Sequence, residues 1–371
     1  MAPTRSPGRS PTLAPTSDPA EADGVPPAGA AAIEFPFAPP APDGEVVTLA
    51  PGVLWARMPM PMQLDHINVY LLHDGDGWFI VDTGLNTPQA RALWEDIAAR
   101  HFGGLPLKGL ICTHFHYDHA GLSAWLTERF DAPLYMTHGE YFTMRTLAGP
   151  PPEPLPDSLL QFYLRAGMPR ARVEEMFAKL RRDPFMPPHP RAFHRLREGQ
   201  VLRIGGRDWR VVIGEGHSPE HACLYCADDR LLIAGDQLLP RITSNVLVSD
   251  IEPEANPLRL WLDSLDRLAT LAPDTLVLPS HERVFRGLHA RVEELHAHHA
   301  QQFDIVRAHL RAAGAATAFE TKAQLFPRVL NAVEDMMALG EAIAHLSCLR
   351  YAGEVRRVLD DDGMYRFSLA L

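Results

Sequence analysis

Four side chains that can bind metals lie within six consecutive residues, the run His114-Phe115-His116-Tyr117-Asp118-His119. Imidazole nitrogens and carboxylate oxygens are the donors that zinc and similar cations prefer. His114 and His116 are two positions apart on an extended loop, so both can point to the same side. Asp118 and His119 follow on the turn into a helix and can bind a second cation. The run therefore predicts the larger part of a two-metal site.

Three further side chains of these types follow later in the chain. His217 lies in the glycine-rich turn Gly214-Glu215-Gly216-His217, Asp236 follows Gly235 at the end of a predicted strand, and His281 comes shortly after another strand. Ligands on strand ends and short loops of a rigid sheet can converge at one edge, where a preorganised site can form. The seven residues together predict a site for two zinc ions, with iron or manganese as alternatives.

The segments between these residues predict the elements that position them. Short β-rich runs separated by turn residues begin at Val46, and apolar residues at helical spacing follow at 88–100. Strands and helices then alternate up to a strand at 275–278. The sequence therefore predicts an α/β catalytic domain over 44–289, in which residues 138–198 form a helical lid insertion.

The two ends of the chain differ from this central part. Residues 1–43 are rich in Pro and Ala with few large apolar side chains, which predicts a disordered tail because too little surface can be buried to offset the ordering entropy. Residues 290–371 show three helical segments and then two short strands around Asp360-Asp361-Asp362-Gly363. Helices followed by a hairpin indicate a small winged-helix-like domain.

Composition excludes some classes of function. The 371 residues carry a formal net charge of -11, which argues against broad binding to nucleic acid or anionic lipid, and no apolar stretch is long enough to span a membrane. Four cysteines fit a reducing compartment, so we expect a cytoplasmic protein. Cys223 and Cys226 form a CxxC on a predicted strand, where their side chains diverge, and we interpret them as structural. The sequence does not indicate an oligomeric state.

The metal-binding motifs resemble those of the metallo-β-lactamase superfamily. The resemblance spans about residues 46–283 and rests on these segments: His114-Phe-His116-Tyr-Asp118-His119, Val81-Asp82-Thr83-Gly84, Gly216-His217-Ser218, Gly235-Asp236 and Ser280-His281. It implies an αββα sandwich. It also implies one metal on His114, His116 and His217, a second on Asp118, His119 and His281, a bridging Asp236, and an Asp82 that orients a ligand from behind the site.

Within the superfamily, the pattern is most similar to the glyoxalase II-like hydrolases and to the β-lactamase-like protein 2 group. Residues 337–357 of this chain resemble the C-terminal helix and wing of that second group. Two features depart from the family pattern. Glu282 follows His281 where glycine is common, and 98 positions separate His119 from His217, so the lid insertion is enlarged.

Two cations can share a water, lower its pKa and hold it as a hydroxide nucleophile, so a catalytic Ser or Cys is not required. Asp118 is the candidate catalytic residue, because it could orient that nucleophile or relay its proton. The resemblance favours a hydroxyacylglutathione hydrolase-like enzyme that acts on a thioester, ester or lactone, hence on a small molecule.

Other functions remain alternatives. A metal-dependent ribonuclease is disfavoured because residues 304–371 carry eight basic and nine acidic side chains, which is no phosphate-binding surface. An iron-dependent persulfide dioxygenase-like enzyme is disfavoured by the complete ligand set for a second metal. A binding module without catalysis is disfavoured because none of the seven ligands is missing.

Several other histidines and polar residues lie outside the metal-binding motifs. We expect His138 to be structural, and we expect Arg241, Ser244 and Asn245 to be candidates for substrate contact because they follow Asp236. Four histidines lie on one predicted helix without sharing a face and are expected to be solvent-facing, namely His289, His296, His298 and His299.

Overall fold

The computed structural model describes residues 33–183, 187–328 and 330–370. Two β-sheets lie face to face, helices cover the outer face of each sheet, and three helices with a hairpin follow at the C-terminus. The predicted αββα fold class is therefore confirmed. Among the described residues, no helix is both long and apolar enough to cross a membrane.

The first sheet has seven strands arranged in chain order. They are β1 (Val46–Ala50), β2 (Val53–Pro59), β3 (His66–His73), β4 (Trp78–Val81), β5 (Leu107–Ile111), β6 (Leu134–Met136) and β7 (His194–Arg195). The first four strands pair antiparallel and the last four pair parallel. The carboxyl ends of β4 and β5 therefore meet at one edge of the sheet.

The second sheet has five strands in the order β12-β11-β10-β9-β8. They are β8 (Val201–Ile204), β9 (Arg207–Gly214), β10 (His221–Cys226), β11 (Leu231–Gly235) and β12 (Leu276–Pro279). β10 is antiparallel to both β9 and β11, and β11 is parallel to β12. Thus β9, β11 and β12 run in the same direction and end at the same edge.

The core between the sheets is built from alternate residues of facing strands. Trp55 and Tyr70 of the first sheet share a buried cluster with Trp209 and Leu224 of the second. Alternation also separates the CxxC sulfurs, because Cys226 belongs to this inter-sheet core whereas Cys223 packs toward the helices. Both cysteines are free and buried, which agrees with a structural role.

Ten helices are present among the described residues. They are α1 (Pro88–His101), α2 (Tyr117–Ala120), α3 (Ser123–Phe130), α4 (His138–Leu147), α5 (Asp157–Arg165), α6 (Arg170–Leu180), α7 (Pro257–Leu268), α8 (Leu288–Ala313), α9 (Ala318–Leu325) and α10 (Ala332–Tyr351). The chain ends with the hairpin β13 (Val355–Leu359) and β14 (Tyr365–Leu369). The description of this C-terminal part as winged-helix-like stays a prediction.

The predicted lid insertion packs against the C-terminal helices. Helices α5 and α6 share one apolar core with α9 and α10. The buried carboxylate of Asp335 joins them through Arg172 of α6 at 2.8 Å and Lys322 of α9 at 2.6 Å. The insertion therefore connects the catalytic sheets to the C-terminal part of the chain.

Two expectations need correction at this level. His299 is buried, not solvent-facing, because α10 covers it: its Nδ1 lies 3.2 Å from His345 Nε2, and Trp261 packs on its ring. Ordered contacts also begin before the end of the predicted tail, since Glu34 forms two backbone hydrogen bonds with Arg286. Residues 1–32 of that tail lie outside the described residues.

Candidate metal centre

The predicted ligands follow strands whose carboxyl ends lie at one edge of the sandwich. The histidine run begins shortly after β5, His217 follows β9, Asp236 follows β11, and His281 follows β12. Each of these strands is almost entirely buried near its end, so the core fixes where the following loop starts. The fold thereby brings together side chains that are up to 167 positions apart in the sequence.

The first ligand group consists of His114, His116, His217 and Asp236, whose donor atoms all lie within 4.8 Å of one another. Nε2 of His114 is 2.8 Å from Nδ1 of His116 and 3.2 Å from Nε2 of His217. Imidazole nitrogens that face each other at such distances suit a shared cation. This set contains the three histidines predicted for the first metal.

The second ligand group consists of Asp118, His119 and His281, which also lie within 4.8 Å of one another. Asp236 reaches both groups: its carboxylate oxygens are 3.4 Å from Nε2 of His119, 3.3 Å from Nε2 of His281 and 3.5 Å from Nε2 of His217. The position of Asp236 between the groups is what a bridging ligand requires.

Asp82 supports the second ligand group from behind. Nδ1 of His119 donates to its Oδ2 at 2.9 Å, and the backbone N–H and hydroxyl of Thr113 donate to the same carboxylate at 2.8 and 2.9 Å. Nδ1 of His281 donates to the carbonyl of His66 at 3.0 Å. Because each Nδ1 is engaged, Nε2 of each ring faces the centre.

The loop after Asp236 supports the first ligand group. Nδ1 of His217 donates to the carbonyl of Asn245 at 2.8 Å, and the hydroxyl of Ser244 donates to the carbonyl of Asp236. These contacts place Ser244 and Asn245 among the supports of the ligands. Contact of either residue, or of Arg241, with a substrate stays a prediction.

Sequence reasoning missed Glu140, a buried residue of α4 that joins the two loops of the first group. Its Oε2 accepts from the backbone N–H of Phe115 at 3.0 Å, and its Oε1 accepts from the hydroxyl of Ser218 at 2.6 Å and the N–H of Glu220 at 2.7 Å. Burial raises its pKa to about 7, although these donors lower it. No local motif marks Glu140, because its partners lie on other loops.

His221 was also missed because it belongs to a continuous buried strand. Its Nε2 accepts from the backbone N–H of Asp236 at 3.1 Å, and its ring lies 4.8 Å from that of His114. A Cβ at Gly235 would come within 2.3 Å of the ring, so only glycine permits this approach. His138, in contrast, packs against the ring of Phe142 and belongs to neither ligand group.

The residue after the last ligand adopts a backbone conformation that glycine would take easily. Glu282 has a φ of 65°. Its carbonyl accepts from Arg57 and its backbone N–H donates to Nε2 of His66 at 3.1 Å, while its carboxylate accepts from the backbone N–H of Arg241 at 3.1 Å. These contacts stabilise the left-handed backbone conformation of Glu282. Glutamate is therefore tolerated at a position where the resemblance predicts glycine.

The two ligand groups differ in their electrostatics. Burial lowers the pKa of His114 and of His217, and lowers that of His116 to about 3, so these rings are neutral. Burial also lowers the pKa of His281, but Asp236 and Asp118 raise it to about 10. The same two carboxylates raise the pKa of His119 well above its ordinary value against the effect of burial. Without metal, the second group therefore carries protons that the first does not.

The donor atoms fit divalent metal ions. Nε2 of His119 and Oδ1 of Asp236 are buried and make no hydrogen bond of normal geometry within the described part of the chain. Buried polar atoms that lack a well-formed hydrogen bond are rare in folded proteins and require an explanation. Both atoms face the ligand cluster, and a donor set of imidazoles and carboxylates suits zinc, iron or manganese.

Comparison with known proteins agrees with this geometry. Residues 62–281 match the metallo-beta-lactamase superfamily domain, and residues 306–370 match the metallo-beta-lactamase-like C-terminal domain. The chain belongs to the metallo-beta-lactamase superfamily. A crystal structure of a beta-lactamase domain protein from Burkholderia ambifaria is 42% identical, with a TM-score of 0.84 over 91% of this chain and 98% of the other. The predicted resemblance to the superfamily is thus confirmed.

Other relatives of this superfamily protein come from Thermus thermophilus and Bacillus subtilis. A metallo-beta-lactamase family protein from Thermus thermophilus is 32% identical, with a TM-score of 0.73 over 87% of this chain and 100% of the other. A probable metallo-hydrolase from Bacillus subtilis is 28% identical over 80% of this chain and 92% of its own length.

More distant relatives include two enzymes whose names describe a hydrolase and a thioesterase. A hydroxyacylglutathione hydrolase from Albidiferax ferrireducens is 26% identical over 62% of this chain and 68% of its own length. An atrochrysone carboxyl ACP thioesterase from Aspergillus fumigatus is 24% identical over 67% of this chain and 62% of its own length.

Proposed function

We propose that this protein is a hydrolase that uses two divalent metal ions, with zinc as the first choice, to cleave a small-molecule thioester, ester or lactone. The observation that carries the proposal is the position of Asp236, whose carboxylate lies within 3.5 Å of Nε2 of His119, His217 and His281. One carboxylate that reaches both ligand groups supports a pair of cations that act on the same substrate. The distant relatives named as hydroxyacylglutathione hydrolase and ACP thioesterase support a thioester in particular.

The two ligand groups would hold one cation each, with Asp236 shared between them. Two cations held there would lower the pKa of a water molecule toward neutrality and would stabilise the negative charge that develops on a carbonyl oxygen. The protein's own part is to hold the ligands in place before the substrate arrives. Asp82, Glu140 and the carbonyl of Asn245 do this from behind the site.

Asp118 is the residue best placed to accept a proton from the nucleophile. Burial raises the pKa of its carboxyl, but His119 and His281 lower it strongly in the metal-free protein, with their Nε2 atoms 3.4 and 3.3 Å from Oδ2. It is partly exposed, unlike the neighbouring His119, and therefore faces the side from which a substrate approaches. A carboxylate at this position can orient a nucleophile and accept its proton through a hydrogen bond.

The test is an assay of the zinc-loaded protein against three substrate classes: acyl thioesters, lactones and single-stranded RNA. We expect turnover of thioesters or lactones that is lost in His116→Ala and retained in His289→Ala, a histidine outside both groups. RNA cleavage lost in His116→Ala, with no turnover of thioesters or lactones, would instead support a ribonuclease and contradict the proposal. Oxygen consumption with a persulfide by the iron-loaded protein, without any hydrolysis, would contradict it as well.

A further inference from the structure

The segment between β11 and α7, residues 236–256, supports the first ligand group although it forms neither a helix nor a strand. The carbonyl of Asn245 accepts from Nδ1 of His217 at 2.8 Å, and the hydroxyl of Ser244 donates to the carbonyl of Asp236. A segment of this kind has no regular hydrogen-bond pattern to fix its backbone, so contacts with neighbouring elements must do so. The position of the Asn245 carbonyl therefore depends on what packs against the residues around it.

Helix α10 packs against this segment three residues beyond Asn245. The backbone N–H of Val248 donates to the carbonyl of Gly340, in the middle of α10, at 3.0 Å. Val246 and Val248 are buried in the same apolar core as Leu339 of that helix. The segment is thus joined to α10 by a backbone hydrogen bond and by apolar packing, close to the carbonyl that orients His217.

Gly340 permits the close approach of α10 to the segment. A Cβ at this position would lie 2.8 Å from Cβ of Leu247 and 3.0 Å from the carbonyl oxygen of Val248. Both distances are shorter than an ordinary van der Waals contact. Glycine in the interior of a helix is less favourable than alanine, so the contact with the segment, and not the helix itself, accounts for glycine here.

The C-terminal part of the chain also contacts the far end of the segment. The carboxylate of Glu254 accepts from Arg350 of α10 at 2.7 Å and from Arg357 of β13 at 2.6 Å, and its carbonyl accepts from the hydroxyl of Tyr351 at 2.6 Å. These contacts are exposed, so each one stabilises the segment only slightly. Together with the contact at Val248, they attach the segment to the C-terminal part at two points.

We propose that α10 positions the first ligand group: through Gly340 and Val248 it holds the carbonyl of Asn245 against His217. If that carbonyl shifts, the imidazole loses the partner that orients it, and the metal affinity of the first group should fall. The second group should depend on α10 less, because its histidines are held by residues of the first sheet and its loops. The proposal rests on the two metal sites proposed above, but not on the reaction that they catalyse.

The experiment measures the zinc affinity of both groups by competition with a chelator, on the full-length protein at pH 7. Gly340→Ala should displace residues 247–248 from α10 and weaken the first group by about tenfold, near the lower end for a residue that supports a ligand, with a much smaller change at the second. Gly149→Ala is the matched control, because it adds the same methyl group where no atom lies within 4 Å. His116→Ala, which removes a ligand of the first group, identifies the binding step that belongs to that group.

Val248→Ala tests the same contact from the side of the segment, and it decides the matter if Gly340→Ala does not fold. It removes part of the apolar packing against α10 and should weaken the first group in the same direction by a smaller factor. Val306→Ala is its matched control, because Val306 is a buried valine of α8 in the same apolar core. This control should lower the melting temperature but leave the ratio of the two zinc affinities unchanged.

The ratio of the first-group affinity to the second-group affinity decides the outcome. A lower ratio in Gly340→Ala and Val248→Ala, but not in the two controls, would support the positioning role of α10. A wild-type ratio in the folded variants, or the same fall in Val306→Ala, would overturn that role and leave the two metal sites standing. Wild-type protein that binds only one zinc ion would contradict the two-metal function itself.

Discussion

The two ligand groups use the same residue types in opposite electrostatic settings. The first group is held by the carbonyl of Asn245 and by the buried Glu140, and burial lowers the pKa of its imidazoles. The second group is surrounded by carboxylates, so His119 and His281 hold protons when no metal is bound. Two ligand groups of similar amino-acid composition can therefore differ in the pH dependence of metal binding and in the residues that hold their ligands in place.

Removal of Asp236 should have the largest effect, because its carboxylate reaches both groups. In Asp236→Ala we expect the zinc content to fall at both sites and the hydrolytic rate to fall on the order of 10³-fold, since metal ions supply several kcal/mol of transition-state stabilisation. Metal analysis by mass spectrometry and a thioester assay measure the two effects. Asp228→Ala, in an exposed turn, is the control. Full metal content and activity in Asp236→Ala would refute the bridging role.

The pH dependence of zinc binding should differ between the two groups, and this is the second-largest expected effect. His119 and His281 have raised pKa values, about 10 for His281, so both must lose a proton when the second cation binds. Between pH 5.5 and 7, the affinity of the second group should rise with pH by up to about 100-fold per unit, one factor of ten for each proton. The affinity of the first group should change far less, because its histidines are already neutral.

Calorimetric titration of the metal-free protein in two buffers of different ionisation heat measures this proton release. The account predicts about two protons for one binding step and nearly none for the other. Equal release in both steps would mean that the electrostatic difference between the groups does not exist in solution.

Asp82→Asn should weaken the second group more than the first, because Asp82 contacts His119 directly and reaches His114 only through Thr113. An amide at this position can no longer balance the proton on His119, and such supporting residues typically contribute 10- to 100-fold to metal affinity. Competition with a zinc chelator at pH 7 measures each site separately. If the weaker binding appeared at the first group instead, the assignment of supports to the two groups would be wrong.

Glu140→Gln should weaken zinc binding at the first group, whereas Asp82→Asn acts mainly on the second group. The effect of Glu140→Gln should be the smaller of the two. Three donors converge on the carboxylate, and the amide NH₂ of glutamine would face one of them. We expect about tenfold weaker zinc binding at the first group, near the lower end for a supporting residue, and little change at the second. Glu220→Gln is a matched control, because it makes the same change at a neighbouring carboxylate that accepts from the backbone N–H of Gly139 on α4. Equal weakening of both groups in Glu140→Gln would contradict the comparison.

Local patterns in the sequence predicted the ligand residues and the order of strands and helices, and the resemblance to the superfamily implied the αββα sandwich. The run 114–119 and the three later ligands could be recognised because ligand spacing and strand ends are local features. Glu140 and His221 could not, since each acts through partners on other loops and neither carries a motif. The burial of His299 was mispredicted for the same reason, because only the packing of α10 reveals it. The contact of the lid insertion with Asp335 likewise depends on residues more than 150 positions apart.

The central claim is that one carboxylate links two metal sites. Crystals of the zinc-loaded protein, measured on both sides of the zinc absorption edge, test it most directly. The account predicts two anomalous peaks per chain about 3.5–4 Å apart, one beside His114, His116 and His217 and the other beside Asp118, His119 and His281, with Asp236 between them. A single peak, or two peaks without Asp236 between them, would contradict it.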